Sequence, residues 1–418
     1  MRSNGYCRRR WRPPKANRRL FPPTDPAARS KGKRGLNVLT AGGEVRLERD
    51  YRWSKRSGGS CPVDELLGVG CSNVTPGARQ LCCVMGIGQD FDQARRDLAK
   101  VGGLSVGKER LRQIVEGEAH QVRQVRDCGQ LPAAWTASDA KLSDGCSRIY
   151  GGVDGVMTPT VTQQEKDKRR RQQIIRRQQR GKTGVGNTKD LPPPKAGTDE
   201  RFKEVKIGIF YDQPKQHRHI FATESKSKQF APLLSGYAAQ IQFENATQTV
   251  CLFDGAVWIY RQVCLGLLCL QIILLDFFHL AEHVHATARL CLGEGEAARQ
   301  WARDRLNQAK ASDIDGILAA VTLLEKKLRS NVKKQSLRQL YNYINDRREM
   351  LDYAQAIEQG WDIGSGPTEA TCKTLTLRLK RPGMKWDHDN AAAMMNLMAM
   401  RESGQWDQYW LQQTRRAA

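Results

Sequence analysis

Apolar and polar residues alternate through Gly43-Glu44-Val45-Arg46-Leu47-Glu48-Arg49-Asp50-Tyr51, as in a strand with one covered face. The flanking residues 1–60 are rich in Arg, Lys, Gly and Pro, so a disordered basic start followed by a small hairpin is expected. From Cys61 to about residue 130 the period becomes helical. One helix is predicted over 92–101, a tight turn at Gly102-Gly103-Leu104, and a second helix capped by Ser105 through Leu111, Ile114 and Val115. Two short helices on a Gly-containing turn fit a helix-turn-helix, with Lys108 and Arg112 on the reading helix. An ordinary helical hairpin fits the same pattern.

Strand patterns return at 149–160, 202–211, 218–223, 249–259 and 270–277, with a helix over 230–242. Between the first two lies 163–195, Gln- and Arg-rich and ending in Pro192-Pro193-Pro194; it reads as a flexible basic loop. Residues 279–359 are wholly helical in pattern, with an apolar stripe at Ile317, Val321, Leu324 and Leu328, and a last helix starts near Pro367. That order predicts an α/β fold: a mixed sheet with an all-helical insertion, preceded by a helical DNA-binding region. The expected divisions are 1–60, 61–140, 141–278, 279–362 and 363–418.

Charge narrows the partners. Lys and Arg number 68 against 44 Asp and Glu, a net charge of +24. Such an excess favours a polyanion, with nucleic acid first because each neutralised phosphate releases counterions. A membrane is disfavoured: no basic amphipathic surface helix is evident, and the most apolar run, 263–278, is short and broken by Gln271. It reads as a buried strand followed by a helix. The start lacks the apolar core of a secretory leader, and the 12 cysteines then read as reduced thiols in the cytoplasm.

The candidate chemistry is acidic. In Trp361-Asp362-Ile363-Gly364-Ser365-Gly366-Pro367-Thr368-Glu369-Ala370, Ser365 or Thr368 can cap a helix whose first turn carries Glu369. Lys373, Arg378, Lys380, Arg381 and Lys385 follow, a pattern that fits a DNA-facing surface or simply a solvated basic face. Asp154 and Asp254 each interrupt an apolar strand pattern and precede a glycine. Unpaired buried carboxylates are costly, so an Asp inside such a strand usually has a cation or metal as partner, although one such Asp alone also fits a strand-end turn. Three carboxylates can hold two Mg²⁺ ions about 3.5–4 Å apart. Hard oxygen donors select Mg²⁺ or Mn²⁺ over zinc. His279, Glu282 and His283 share a helical face, but no third-ligand pattern supports a zinc site there.

The chain resembles bacterial insertion-sequence transposases of the ISKra type, related in design to Mutator-like transposases. Four pieces carry the resemblance: Val153-Asp154-Gly155-Val156; Phe253-Asp254-Gly255-Ala256-Val257-Trp258-Ile259; Leu275-Asp276-Phe277-Phe278-His279; and Ile363 to Ala370 followed by Leu379-Lys380-Arg381-Pro382-Gly383-Met384-Lys385-Trp386. The resemblance implies an RNase H-like core whose Asp-Asp-Glu triad, mapped by motif, is Asp154, Asp254 and Glu369, using Mg²⁺ or Mn²⁺. It further implies cleavage and joining of DNA at the element's terminal inverted repeats and in target DNA, by a homo-oligomer in the bacterial nucleoid. Asp276 and His279 resemble an element that follows the second catalytic Asp, as active-site support or as plain helix capping. Similar proteins often carry Cys-x-x-Cys after Tyr51-Arg52-Trp53, where this chain has Ser54 and Ser57, so no zinc is expected. The alternative reading is a DNA-binding protein derived from a transposase whose core has decayed or been repurposed.

Overall fold

The computed structural model describes residues 25–69, 72–181, 191 and 196–417. In chain order it has β1 (Arg29–Thr40), β2 (Gly43–Ser54), β3 (Gly58–Ser60), α1 (Pro62–Leu66), α2 (Pro76–Gly88), α3 (Phe91–Val101) and α4 (Lys108–Asp127). Then come β4 (Arg148–Pro159), α5 (Gln163–Gln179), β5 (Phe202–Asp212), β6 (Arg218–Thr223), α6 (Phe230–Gln240), β7 (Gln248–Phe253), α7 (Val257–Gly266) and β8 (Ile272–Leu275). The rest is helical: α8 (Phe277–Leu292), α9 (Glu296–Lys310), α10 (Ile314–Lys327), α11 (Asn331–Asn345), α12 (Tyr353–Glu358), α13 (Gly366–Leu377), α14 (His388–Glu402) and α15 (Trp406–Ala417). Among the described residues no helix is long and apolar enough to cross a membrane.

The chain divides into two compact units, one of residues 132–395 and the other of the residues before and after them. In the latter, β1 and β2 form an antiparallel hairpin of two 12-residue strands, with β3 on the far side of β2. The hairpin is larger than expected and already begins at Arg29; the rest of the expected disordered start, residues 1–24, lies outside the described residues. Ser105 does not cap α4, whose N-cap is Gly107 with no side-chain cap; Asp90 caps α3 instead. Gly86 of α2 lets α4 approach, since a Cβ there would meet Val115 at 2.8 Å.

Expectation kept 363–418 together, but residues from Asn396 onward group with the N-terminal helices. Two buried charged residues of α4 account for this. Arg126, fully buried, donates to Gln405 at 3.0 Å, and Glu118 pairs with Arg79 at 2.9 Å and accepts from the Tyr409 hydroxyl at 2.5 Å. A buried charge left unpartnered is strongly destabilising, so these contacts hold the C-terminal helices in place.

The larger unit is built on a mixed five-stranded sheet of order β6-β5-β4-β7-β8. β4, β5 and β6 form an antiparallel meander, and β7 and β8 continue it in parallel with β4. β7 ends at Phe253, before the expected limit of 259, because the apolar run Val257-Trp258-Ile259 opens α7. β8 is likewise shorter than the expected 270–277. One continuous core joins the sheet to the helical block: Ile317, Val321 and Leu324 are buried in it with Leu337, Leu340 and Ile344, and Leu328 packs partly against it.

The largest departure is α5. Residues 163–179, expected to be flexible, form a helix that buries none of its residues. Composition weighs only the apolar surface a segment can hide. It does not register the capping box at its start, where Thr162 accepts from the Glu165 N–H and Glu165 accepts from the Thr162 N–H. It also misses two ion pairs from the first turn, Glu165 with Lys385 and Lys166 with Asp387. Of the remaining expected loop, 182–190 and 192–195 lie outside the described residues.

Because α5 depends on its start, Thr162→Ala should weaken the helix by about 1 kcal/mol. Hydrogen exchange should show faster amide exchange over 163–179 and unchanged protection in β4 and β5. Unaltered exchange in α5 would mean that the ion pairs alone hold it.

Candidate active site

β4 and β7 run parallel with Gly152 opposite Leu252. The ladder stops there; Asp154 lies two residues further along β4 and Asp254 on the turn that follows β7, close enough for the charge of Asp254 to act on Asp154. Asp154 is partly buried and accepts from the Gly155 N–H at 2.6 Å. Burial pushes its carboxyl above the ordinary range; the Cys372 thiol and the Gly155 N–H pull it back, while the charges of Asp254 and Glu204 push it further up.

Asp254 sits on the turn after β7, its Oδ1 accepting from the Ala256 N–H at 2.9 Å. Gly255 has φ of +80°, and a Cβ there would meet Arg347 and Leu275 at 2.6 Å, so only glycine fits. The turn is clamped from α11 and the residues just after it. The Tyr343 hydroxyl donates to the Asp254 carbonyl at 3.2 Å, and Arg347 Nε donates to the Gly255 carbonyl at 2.9 Å.

Glu369 lies exposed in the first turn of α13. Cys372 follows three residues later, on the same helical face. The Cys372 thiol is raised by burial and then by the charge and hydrogen bond of Asp154, with Glu369 contributing as well. Asp154 and Glu369 thus both act on the Cys372 thiol. α13 can lie this close to β4 because position 152 is glycine: a Cβ there would collide with Thr368 Oγ1.

Ser365 is the N-cap of α13, but its hydroxyl caps nothing in its own helix and donates to Asp276 instead. Thr368, the other expected cap, lies inside the first turn and is buried. Asp276, 2% exposed, also accepts from the Ser365 N–H at 3.1 Å and caps α8 through the Phe278 N–H at 2.7 Å. Its place is thus structural, joining the start of α8 to the start of α13. His279 packs its ring on His283, which packs on Tyr343, and pairs with Glu282 at 3.6 Å. Burial, then His279, lowers the His283 pKa.

The expected cations separate. Lys373, Lys380 and Arg381 are exposed, whereas Lys385 is paired with Glu165. Arg378 faces inward at 2% exposure, against Met384 Sδ at 2.6 Å and the Trp386 ring, so it cannot meet DNA from this position. In the other unit Lys108 is exposed, and Arg112 is held between Glu109 and Glu116.

Asp154, Asp254 and Glu369 are hard oxygen donors of the kind Mg²⁺ accepts. Among the described residues, however, no group of three His, Cys, Asp or Glu side chains is placed to hold a metal ion. Asp154 feels the charge of Asp254, and the Cys372 thiol feels those of both Asp154 and Glu369. Sequence reasoning passed over Cys372, Tyr343 and Arg347. Only Cys372 left a signal, standing one helical turn from Glu369.

A model of an uncharacterised protein family, UPF0236, matches residues 218–413, a span that includes Asp254, Asp276 and Glu369 but not Asp154. No curated protein matches the chain. Among solved structures it is similar to a chain of the Drosophila P element transposase strand transfer complex, at 9% identity and a TM-score of 0.25 over 80% of each chain. A likeness of that size says nothing further about this protein.

Proposed function

We propose that this chain is a DNA transposase that cleaves and joins strands at the ends of its own insertion sequence, with Asp154, Asp254 and Glu369 as its catalytic carboxylates. The observation that carries the reading is the junction of β4, β7 and α13. Asp154, two residues past the end of the β4–β7 ladder, feels the charge of Asp254, and the charge of Asp154 in turn raises the thiol of Cys372, which shares a helical face with Glu369. The antiparallel meander continued by two parallel strands supports an RNase H-like core.

Asp154 and Asp254 would be the first pair to bind a divalent ion, which relieves the repulsion that raises Asp154. Glu369, exposed on the first turn of α13, would complete the set by side-chain rotation. Bound Mg²⁺ or Mn²⁺ supplies activation of water or a 3′-hydroxyl and stabilisation of the leaving oxygen. Lys373, Lys380 and Arg381 beside this set suit phosphate neutralisation, and α3 and α4 are the candidate reader of the terminal repeats. Acting on two ends calls for more than one copy in the assembly. The second reading, a DNA-binding protein with a decayed core, is favoured by one observation: among the described residues no three His, Cys, Asp or Glu side chains are grouped to hold a metal ion.

Asp154→Asn, Asp254→Asn and Glu369→Gln should each abolish cleavage of element ends in Mg²⁺ while DNA affinity stays within about threefold; retained cleavage in Asp254→Asn would sink the assignment. Because the folded-state pKa of Asp154 is raised, the ionised carboxylate costs stability as pH rises above its ordinary 3.8. Asp154→Asn should therefore raise the Tm at pH 7, and the gain should vanish below that value; a lower Tm at pH 7 would contradict this account.

Asp276→Asn keeps the shape but weakens the bonds to Ser365, so it should cut cleavage at least tenfold with unchanged DNA affinity, and free α13 to exchange amides faster. Normal activity would leave Asp276 as a helix cap alone.

Replacing Arg169, Arg170, Arg171, Arg176 and Arg177 by Gln should flatten the dependence of log affinity on log salt by up to about 0.9 per lost phosphate contact. An unchanged slope would show that α5 stays clear of DNA.

A further inference from the structure

We propose that the groove between the end of β4, the start of β5 and the loop 378–387 holds an unpaired stretch of DNA leading to the carboxylates, with Phe202 as the platform on which one base stacks. The inference rests on the reading above and adds the form of substrate that this face accepts.

Phe202 and Met157 are 55% and 50% exposed. They lie on neighbouring strands, Phe202 opposite Pro159 and Met157 opposite Glu204, so two large apolar side chains stand uncovered at one corner of the sheet. Both line a groove of about 1190 Å³ together with Arg201, Lys380, Arg381 and Lys385. The carboxylates on its wall are Glu165 and Asp199, and Glu165 is already engaged by Lys385. Lys380 and Arg381 also line a neighbouring groove of about 500 Å³ whose wall includes Lys373 and Cys372. The same wall includes Val156, two residues beyond Asp154 on β4, and Lys373 stands one helical turn after Glu369 on α13. The two grooves share Lys380, Arg381 and Pro382. By strand alternation Phe202 and Met157 stand on the face of the sheet opposite Asp154 and Val156, so the track turns round the edge of β4 left open beyond its pairing with β7 at Gly152, with the aromatic on one side and the wall next to Asp154 on the other.

The occupant follows from that combination. Cations alone would serve a duplex equally well, but a duplex keeps its base faces stacked inside and gains nothing from an exposed ring. An unpaired strand presents phosphates and base faces together, and it is the polyanion for which both parts of the track are useful. The backbone supports the geometry, because the loop is tied to β4 by the Trp386 N–H to Pro159 O bond at 3.0 Å and the Val161 N–H to Trp386 O bond at 2.9 Å.

The test uses the full chain in EDTA, so that binding is read without cleavage, with fluorescein-labelled oligo(dT) and a blunt duplex as probes. Phe202→Ala should weaken oligo(dT) binding roughly tenfold and leave duplex affinity within twofold, while Phe202→Tyr should restore it. A single 2-aminopurine in the strand should lose its quenching in Phe202→Ala only. Lys380→Gln should lower the salt slope for the single strand by about 0.7. Unchanged oligo(dT) binding in Phe202→Ala, or an equal loss for the duplex, overturns the proposal. A Phe202-dependent single-strand affinity in a protein that never cleaves in Mg²⁺ would overturn the transposase reading and leave the track standing. Cleavage by wild type with Phe202 indifferent would do the reverse.

Discussion

The chain leaves the sheet at Leu275 and returns beside it at Ser365, and Asp276 binds both points. Its carboxylate accepts from the Phe278 N–H on the outgoing helix and from the N–H and hydroxyl of Ser365, 89 residues away, on the returning one. Closing so long an excursion carries an entropic cost that grows only slowly with its length, and these charge-assisted bonds act at the point of closure. The Phe277 N–H to Ile363 O bond at 2.9 Å and the Tyr353 hydroxyl to Leu275 O bond at 2.9 Å brace the same junction. Everything downstream depends on it, because Ser365 begins the helix that carries Glu369 and Cys372.

The helical block contributes a second constraint. By donating from Tyr343 of α11 and from Arg347 just beyond its end to consecutive carbonyls, the block holds the turn of Asp254 against the sheet. The same packed block thus places both the second carboxylate and the helix of the third. Asp154 stands where burial and a neighbouring like charge oppose ionisation.

Much of the sheet was legible because its strands obey the simplest rule, alternation or a continuous apolar run bounded by turns. The limits predicted for β4, β5 and β6 fall within a residue or so of those observed. β7 was overextended because an apolar run looks the same whether it continues a strand or opens a buried helix, and the left-handed Gly255 that separates the two is a conformational event. α5 was misread because its stability comes from a cap and from ion pairs to residues about 220 positions away, which composition cannot register. Arg378 shows the same limit in reverse: a cation in a basic run reads as surface until Met384 and Trp386 enclose it.

The sequence by itself determined the acidic positions, the glycines beside them, the helical nature of the excursion and the strong positive charge, since these depend on residue type and local period. Only the tertiary structure decided that Asp276 bridges to Ser365, that α13 lies against β4 with Thr368 over Gly152, and that the last helices pack with the first. Each of those contacts links residues far apart along the chain, and a one-dimensional pattern carries no information about which buried charge will find which partner once the core has closed.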